Sequence, residues 1–134
     1  MTYLLDSNVW VALLRGKNRP VASRFRAAWI PNLRVCSVIV AELRYGCARS
    51  AKPAANRAAV DALLTPILSL PFDDKAVDEF VGVRTHLESL GKPIGPFDLQ
   101  IAAIALANNC TLVTHNQAEF SRVPKLLLED WELP

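Results

Sequence analysis

Three acidic residues stand where ordinary packing would not place them. Asp6 follows Tyr3-Leu4-Leu5, Glu42 lies inside Val38-Ile39-Val40-Ala41-Glu42-Leu43, and Asp98 lies inside Ile94-Gly95-Pro96-Phe97-Asp98-Leu99-Gln100-Ile101. Burying a carboxylate costs several kcal/mol unless something compensates it. No Lys or Arg stands at helical spacing from any of the three. A divalent cation is the compensating partner that fits an all-oxygen set, and Mg²⁺ or Mn²⁺ suits such donors.

Each acid also has a plainer explanation. Asp6 can cap a helix, and Asp98 falls in a first helical turn, where the macrodipole favours acids. Glu42 has the weakest such alternative, because its helical neighbours Val38, Ile39, Tyr45 and Gly46 form a largely apolar face. Clustered, the acids would repel one another by about 4 kcal/mol per pair at ~4 Å and an effective dielectric near 20. Two Mg²⁺ ions would turn that repulsion into binding, with Glu119 as a possible fourth charge. Such ions suit phosphodiester hydrolysis, one activating water and the other neutralising the leaving oxygen. The histidines, His86 and His115, are too few and too isolated for a zinc site.

The elements that would position these side chains alternate along the chain. Tyr3 to Leu5 predicts a short buried strand, followed by a helix capped by Asp6 or Ser7 and stopped at Gly16. A second helix is expected from Val21 to Trp29, opened by Pro20. Leu33 to Cys36 predicts a strand, Ser37 caps a helix from Val38 to about Arg49, and Pro53 opens a helix to Leu64. Ile67 to Leu70 follows as a strand, and Asp73 or Asp74 caps a long helix to about Leu90. Pro96 fits the first turn of a helix reaching about Asn108. Strands are expected at Thr111 to Thr114 and Leu126 to Leu128, with a helical turn from Asn116 to Phe120 between them. Short apolar strands alternating with helices predict a single three-layer α/β/α domain around a parallel sheet. Its ligand site belongs at the carboxyl ends of the strands. There Asp6, Glu42, Asp98 and Asn116 could share one pocket.

The chain has 134 residues, 51% of them hydrophobic, which suits one domain with a real core. No apolar run approaches the ~18 residues that span a bilayer. The N-terminus lacks the basic leading segment of a signal peptide, so a cytoplasmic protein is expected. Cys36, Cys47 and Cys110 have no metal-like spacing and read as small core residues in a reducing compartment. Residues 1–60 hold ten bases and only two acids, a balance of +8, whereas residues 61–134 carry −6. A basic half whose only acids are Asp6 and Glu42 suggests attraction to a polyanion, with nucleic acid the leading candidate. Arg15, Lys17, Arg44 and Arg49 are the phosphate contacts this pattern suggests.

Five strings, taken in order, resemble the PIN-domain ribonucleases, and in particular the VapC-type toxins of toxin–antitoxin pairs. They are Leu5-Asp6-Ser7-Asn8, Ala41-Glu42-Leu43-Arg44-Tyr45-Gly46, Gly91-Lys92-Pro93-Ile94-Gly95-Pro96-Phe97-Asp98, Val113-Thr114-His115-Asn116-Gln117-Ala118-Glu119-Phe120 and Leu128-Glu129-Asp130-Trp131. The resemblance implies a Mg²⁺-dependent endoribonuclease that cuts transfer or ribosomal RNA, forms a homodimer and is silenced by a cognate antitoxin. It implies Asp6, Glu42 and Asp98 as metal ligands. Asn116 occupies a fourth position that is often Asp, where it could position water, with Glu119 as the alternative. Ser7, Thr114 and Asn8 would orient the carboxylates.

Two other classes fit the sequence less well. Dehalogenase-like phosphotransfer to an aspartate needs a second acid where Asn8 stands, and receiver-like phosphotransfer needs a Lys that Thr114-His115-Asn116 does not offer. A non-catalytic interaction module would have no reason to keep clustered acids.

Overall fold

The computed structural model describes residues 1–134. Its elements run β1 (Thr2–Leu5), α1 (Ser7–Arg15), α2 (Arg19–Ala27), a 3₁₀ turn (Ile30–Asn32), β2 (Leu33–Cys36), α3 (Ser37–Ala48), α4 (Pro53–Leu64) and β3 (Leu68–Leu70). They continue α5 (Asp74–Ser89), α6 (Pro96–Ala107), β4 (Cys110–Val113), α7 (Gln117–Phe120) and β5 (Leu128–Glu129).

All strand pairs are parallel, in the order β3-β2-β1-β4-β5. The chain builds outward from β1 through β2 to β3, then returns to place β4 on the other side of β1. Right-handed crossovers in opposite directions put the helices of the two halves on opposite faces, giving three layers. The direction reverses between β1 and β4, so the crevice beyond their carboxyl ends is where such a sheet binds ligands.

One helix dominates the interior. Of the twelve residues of α6, Leu99, Ile101, Ala102, Ala103, Ile104, Ala105 and Ala107 are buried. A helix apolar on nearly every side must be enclosed by its neighbours, and each fully buried Leu or Ile contributes about 1.5–3 kcal/mol. The first turn of α6 is its most open part and carries Asp98; beyond it only Gln100 and Leu106 are partly exposed. The joint between β1 and α1 is closed by Trp10, fully buried, whose indole N–H donates to the Leu5 carbonyl at 2.9 Å.

The expected strands and helices are present, with shifts at several ends. α2 begins at Arg19 rather than Val21, because the Asn18 side chain accepts from the Val21 N–H at 3.2 Å and Pro20 fits the first turn. Trp29 lies outside α2, in extended backbone ahead of the 3₁₀ turn. Ser37 is the first residue of α3 rather than its cap, its hydroxyl donating to the Leu70 carbonyl at 3.4 Å. The last strand falls at Leu128–Glu129, fixed by pairing with Leu112 and Val113. Gly16 (φ 67°) ends α1 in the left-handed region, as expected of that glycine. The three cysteines are free and buried.

Candidate metal centre

Asp6 follows the last residue of β1 and caps α1. Its backbone N–H donates to the Val113 carbonyl at 3.0 Å, which locks it to the end of β4. Its carboxylate is saturated on the protein side. Oδ1 accepts from the Ser7 N–H at 2.8 Å, and Oδ2 accepts from the Thr114 hydroxyl at 2.9 Å. The residue is only 7% exposed. The cap and the site are therefore one feature: the strand-to-helix turn that needs an acceptor also delivers a carboxylate to the crevice.

Glu42 reaches the same place from α3. The Ser7 hydroxyl lies 3.3 Å from its Oε2 and 3.4 Å from Asp6 Oδ1, and its single proton serves one of them at a time. Glu42 Oε1 is buried and has no hydrogen-bond partner at all. Burial first, and then the charge of Asp6, raise the Glu42 pKa above the usual carboxylate range, against a smaller opposing pull from Ser7.

Asp98 enters from the first turn of α6. Its pKa is raised to about 7, chiefly by burial, then by the charges of Glu119, Asp6 and Glu42. Here the macrodipole explanation fails on magnitude: a helix N-terminus would favour the ionised acid, yet the surrounding negative charge and desolvation outweigh it. Glu119 moves the opposite way. The Gly95 N–H donates to its Oε1 at 3.0 Å and the Asn116 side-chain amide donates to its Oε2 at 2.9 Å, holding its pKa down. Hydrogen bonding between Asp98 and Glu119 adds to both shifts, so a proton held by the pair rests on Asp98 while Glu119 stays ionised.

The structure thus gathers Asp6, Glu42, Asp98 and Glu119 around the carboxyl ends of β1 and β4. Asn116 is exposed, and its side chain is committed to Glu119 rather than turned toward the other acids. Its backbone N–H donates to Thr114 Oγ1 at 3.0 Å, the same oxygen whose proton goes to Asp6. Glu119, Asn116, Thr114 and Asp6 form one connected line. Ser7 and Thr114 orient Asp6 as expected, whereas Asn8 is exposed and lines the adjoining groove.

The donor set fits a hard divalent cation. It is all oxygen, it is short of positive charge, and it includes a buried carboxylate oxygen with nothing to accept from. A second grouping lies on the outer flank and was not visible in the sequence. His115, expected to be isolated, lies with Nδ1 3.0 Å from Asp130 Oδ2 and 3.5 Å from Glu132 Oε2. Residues 15 and 17 positions further along meet it only because β5 pairs with β4. Gly95, the main-chain anchor of Glu119, was also missed, since a contact across 24 positions leaves no local pattern.

Comparison with known proteins gives a consistent picture. The family model described as PIN domain matches residues 3–126. A protein named ribonuclease VapC2, from Rickettsia felis, is 35% identical over 133 residues, covering 98% of this chain and 99% of the relative. A protein named tRNA(fMet)-specific endonuclease VapC, from Salmonella typhimurium, is 31% identical over 133 residues, covering 98% of each. Among solved structures, VapBC2 from Rickettsia felis bound to a promoter DNA fragment superposes with a TM-score of 0.90 at 34% identity, covering 98% of this chain and 99% of that one. DNA-bound VapBC from Salmonella typhimurium gives 0.91 at 30% identity, covering 98% of each.

Proposed function

The chain belongs to the PIN-domain family, in its VapC branch, and from that premise we propose that it is a metal-dependent endoribonuclease, the toxin of a toxin–antitoxin pair. The observation that carries this reading is the unpartnered, buried Oε1 of Glu42 beside two further carboxylates. A protein with no use for a cation would gain stability by replacing Glu42 with an apolar residue.

In this reading Asp6, Glu42 and Asp98 hold Mg²⁺, for which Mn²⁺ can substitute. The bound ion supplies Lewis acidity toward a phosphoryl oxygen and acidifies water at neutral pH. The chain's own groups do the rest. Ser7 and Thr114 fix the plane of the Asp6 carboxylate. Asn116 and the Gly95 N–H hold Glu119 ionised beside Asp98. Asn116 acts by positioning Glu119, and Glu119 rather than Asn116 faces the other acids. Ser7, the serine in the crevice, is hydrogen-bonded to the carboxylates it orients and has no histidine beside it to make it a nucleophile, which fits hydrolysis by water.

The substrate is cellular RNA, with transfer RNA favoured over ribosomal RNA by the name of the Salmonella typhimurium relative. The partner is a cognate antitoxin, in keeping with the VapBC complexes among the similar structures. A homodimer belongs to the same reading, and Val77 and Val81 stand exposed on α5 where a second copy could cover them. No helix is long and apolar enough to cross a membrane, and a cytoplasmic setting belongs to the same reading. All 134 residues serve as one nuclease domain. The test is Asp6→Asn, which keeps the helix cap and removes the charge. It should abolish RNA cleavage and growth arrest. Persistent Mg²⁺-dependent cutting by that variant would refute the assignment.

A further inference from the structure

The bases of this protein fall into two groups. Arg24 pairs with Glu129 at 3.7 Å, Arg57 with Asp61 at 3.0 Å, Arg84 with Glu88 at 3.3 Å, and Arg44 lies 3.9 Å from Asp61. Eleven of the fifteen bases pair with no acid, and four of these, Arg15, Lys17, Arg19 and Arg49, gather about two adjoining hollows. A groove of about 590 Å³ begins beside Ser7 and Glu42 and runs between α1, α3 and α4, with Arg15 and Arg49 on its rim. Its floor is apolar, made by Val11, Leu43, Cys47 and Val60. Arg15 also lines a second hollow, of about 660 Å³, together with Lys17 and Arg19 at the α1–α2 turn. The two hollows therefore meet at Arg15.

The metal centre lies at the opposite end of α1. That helix has nine residues, which puts Ser7 and Arg15 about 12 Å apart along the axis. The Arg49 guanidinium is held over the Tyr45 ring at 5.1 Å, so its charge stays at the rim. The one acid in the outer hollow, Glu132, is engaged by Asn18 at 3.1 Å and by His115 at 3.5 Å, rather than by a lysine or an arginine.

We propose that Arg49, Arg15, Lys17 and Arg19 form one cationic track that carries the RNA backbone from the metal centre along α1 to the α1–α2 turn. The proposal rests on the nuclease reading above and extends it. Unpaired guanidinium and ammonium groups in a row match the regular negative charge of a sugar–phosphate chain. The apolar floor suits the faces of unpaired bases, so the segment on the track is single-stranded. Charge complementarity favours RNA over a protein segment here. Arg44, whose charge is shared with Asp61 in a different hollow, is not part of the track.

The test uses a synthetic single-stranded RNA oligonucleotide and the non-cleaving Asp6→Asn protein. Its binding is followed by fluorescence anisotropy across a salt series, with and without Lys17→Ala and Arg19→Ala. Loss of two phosphate contacts should raise Kd several-fold at low salt and reduce the steepness of log K against log salt by about 1.4. Arg44→Ala in the same background should leave that slope alone. An unchanged slope in the double variant overturns the track. So does a variant whose antitoxin affinity falls while its RNA affinity holds, since the surface then belongs to a protein partner. RNA cleavage by the unaltered protein is measured alongside. Its absence would sink the nuclease reading, whereas intact cleavage with an unchanged slope rejects the track alone.

Discussion

Two groups of carboxylates flank β4, and they are treated in opposite ways. On the outer side, Asp130 Oδ2 meets His115, its Oδ1 accepts from the Glu132 N–H at 3.0 Å, and the two oxygens of Glu132 meet Asn18 and His115. Three of the four oxygens there accept a hydrogen bond, and the fourth, Glu132 Oε2, lies 3.5 Å from the same His115 Nδ1. At the strand ends, Asp6 is fully served, but Glu42 Oε1 has nothing and Asp98 keeps a proton that an ordinary carboxylate would have lost. The first group closes the fold by fastening the C-terminal segment to the β4 end. The second is held under electrostatic tension by the fold around it. Acidic character alone would mark both groups as cation sites; following each oxygen to its donor separates them.

The largest effect should come from removing a charge at the strained group. Asp6→Asn is expected to reduce RNA cleavage by more than about a hundredfold, beyond what loss of a merely orienting partner costs. Its melting temperature should stay close to that of the unaltered protein, because Asn caps a helix as well as Asp does. A large fall in melting temperature would mean that Asp6 serves folding first. Next comes the hydroxyl that aims this carboxylate. Thr114→Val should weaken Mn²⁺ binding by about 10–100-fold in calorimetry, with a smaller loss of stability.

A pH series on metal-free protein sharpens the contrast further. Below about 4 both the folded and the unfolded chain protonate Asp98. Above about 7 neither does. Between these limits the folded chain holds a proton that the unfolded chain lacks, so stability should fall as pH rises from about 4 to about 7. Urea midpoints measure this directly. Mn²⁺ should flatten the fall, and its binding near pH 6.5 should release protons, seen as buffer-dependent heats. A flat metal-free profile would break the distinction between the two groups. The smallest effect is expected at the satisfied one. His115→Ala should cost about 1 kcal/mol or less, since the imidazole is largely exposed, and should leave Mn²⁺ affinity at its original level.

Much of this arrangement could be read from local sequence. Gly16 as the stop of α1, Asp73 as the cap of α5 and Pro96 at the start of α6 all act within one helical turn, so their spacing reveals them. Asp6, Glu42 and Asp98 betrayed themselves through apolar neighbours that a solvated acid would not have. What stayed hidden depends on distant pairing. The division of labour between Asn116 and Glu119 needed the Gly95 N–H, and the embrace of His115 needed β5. Arg44 looked as free as Arg15 until α4 brought Asp61 beside it, and Arg19 was overlooked because its neighbours on the track come from a turn rather than a periodic face. Pattern reading finds what a residue's own helix or strand requires of it. It does not find which partner from elsewhere has already claimed it.

Trp10 has a practical bearing on all of these experiments. Its ring is sealed in the core and its N–H is fastened to the carbonyl that immediately precedes Asp6, whereas the indole of Trp29 is largely open to water. A soluble quencher such as iodide will silence Trp29 and spare Trp10. In a Trp131→Phe background, the blue-edge emission that remains comes from one fluorophore lodged beside the proposed cation ligand. The protein thus carries its own optical gauge, with no dye or label to disturb the chemistry being watched.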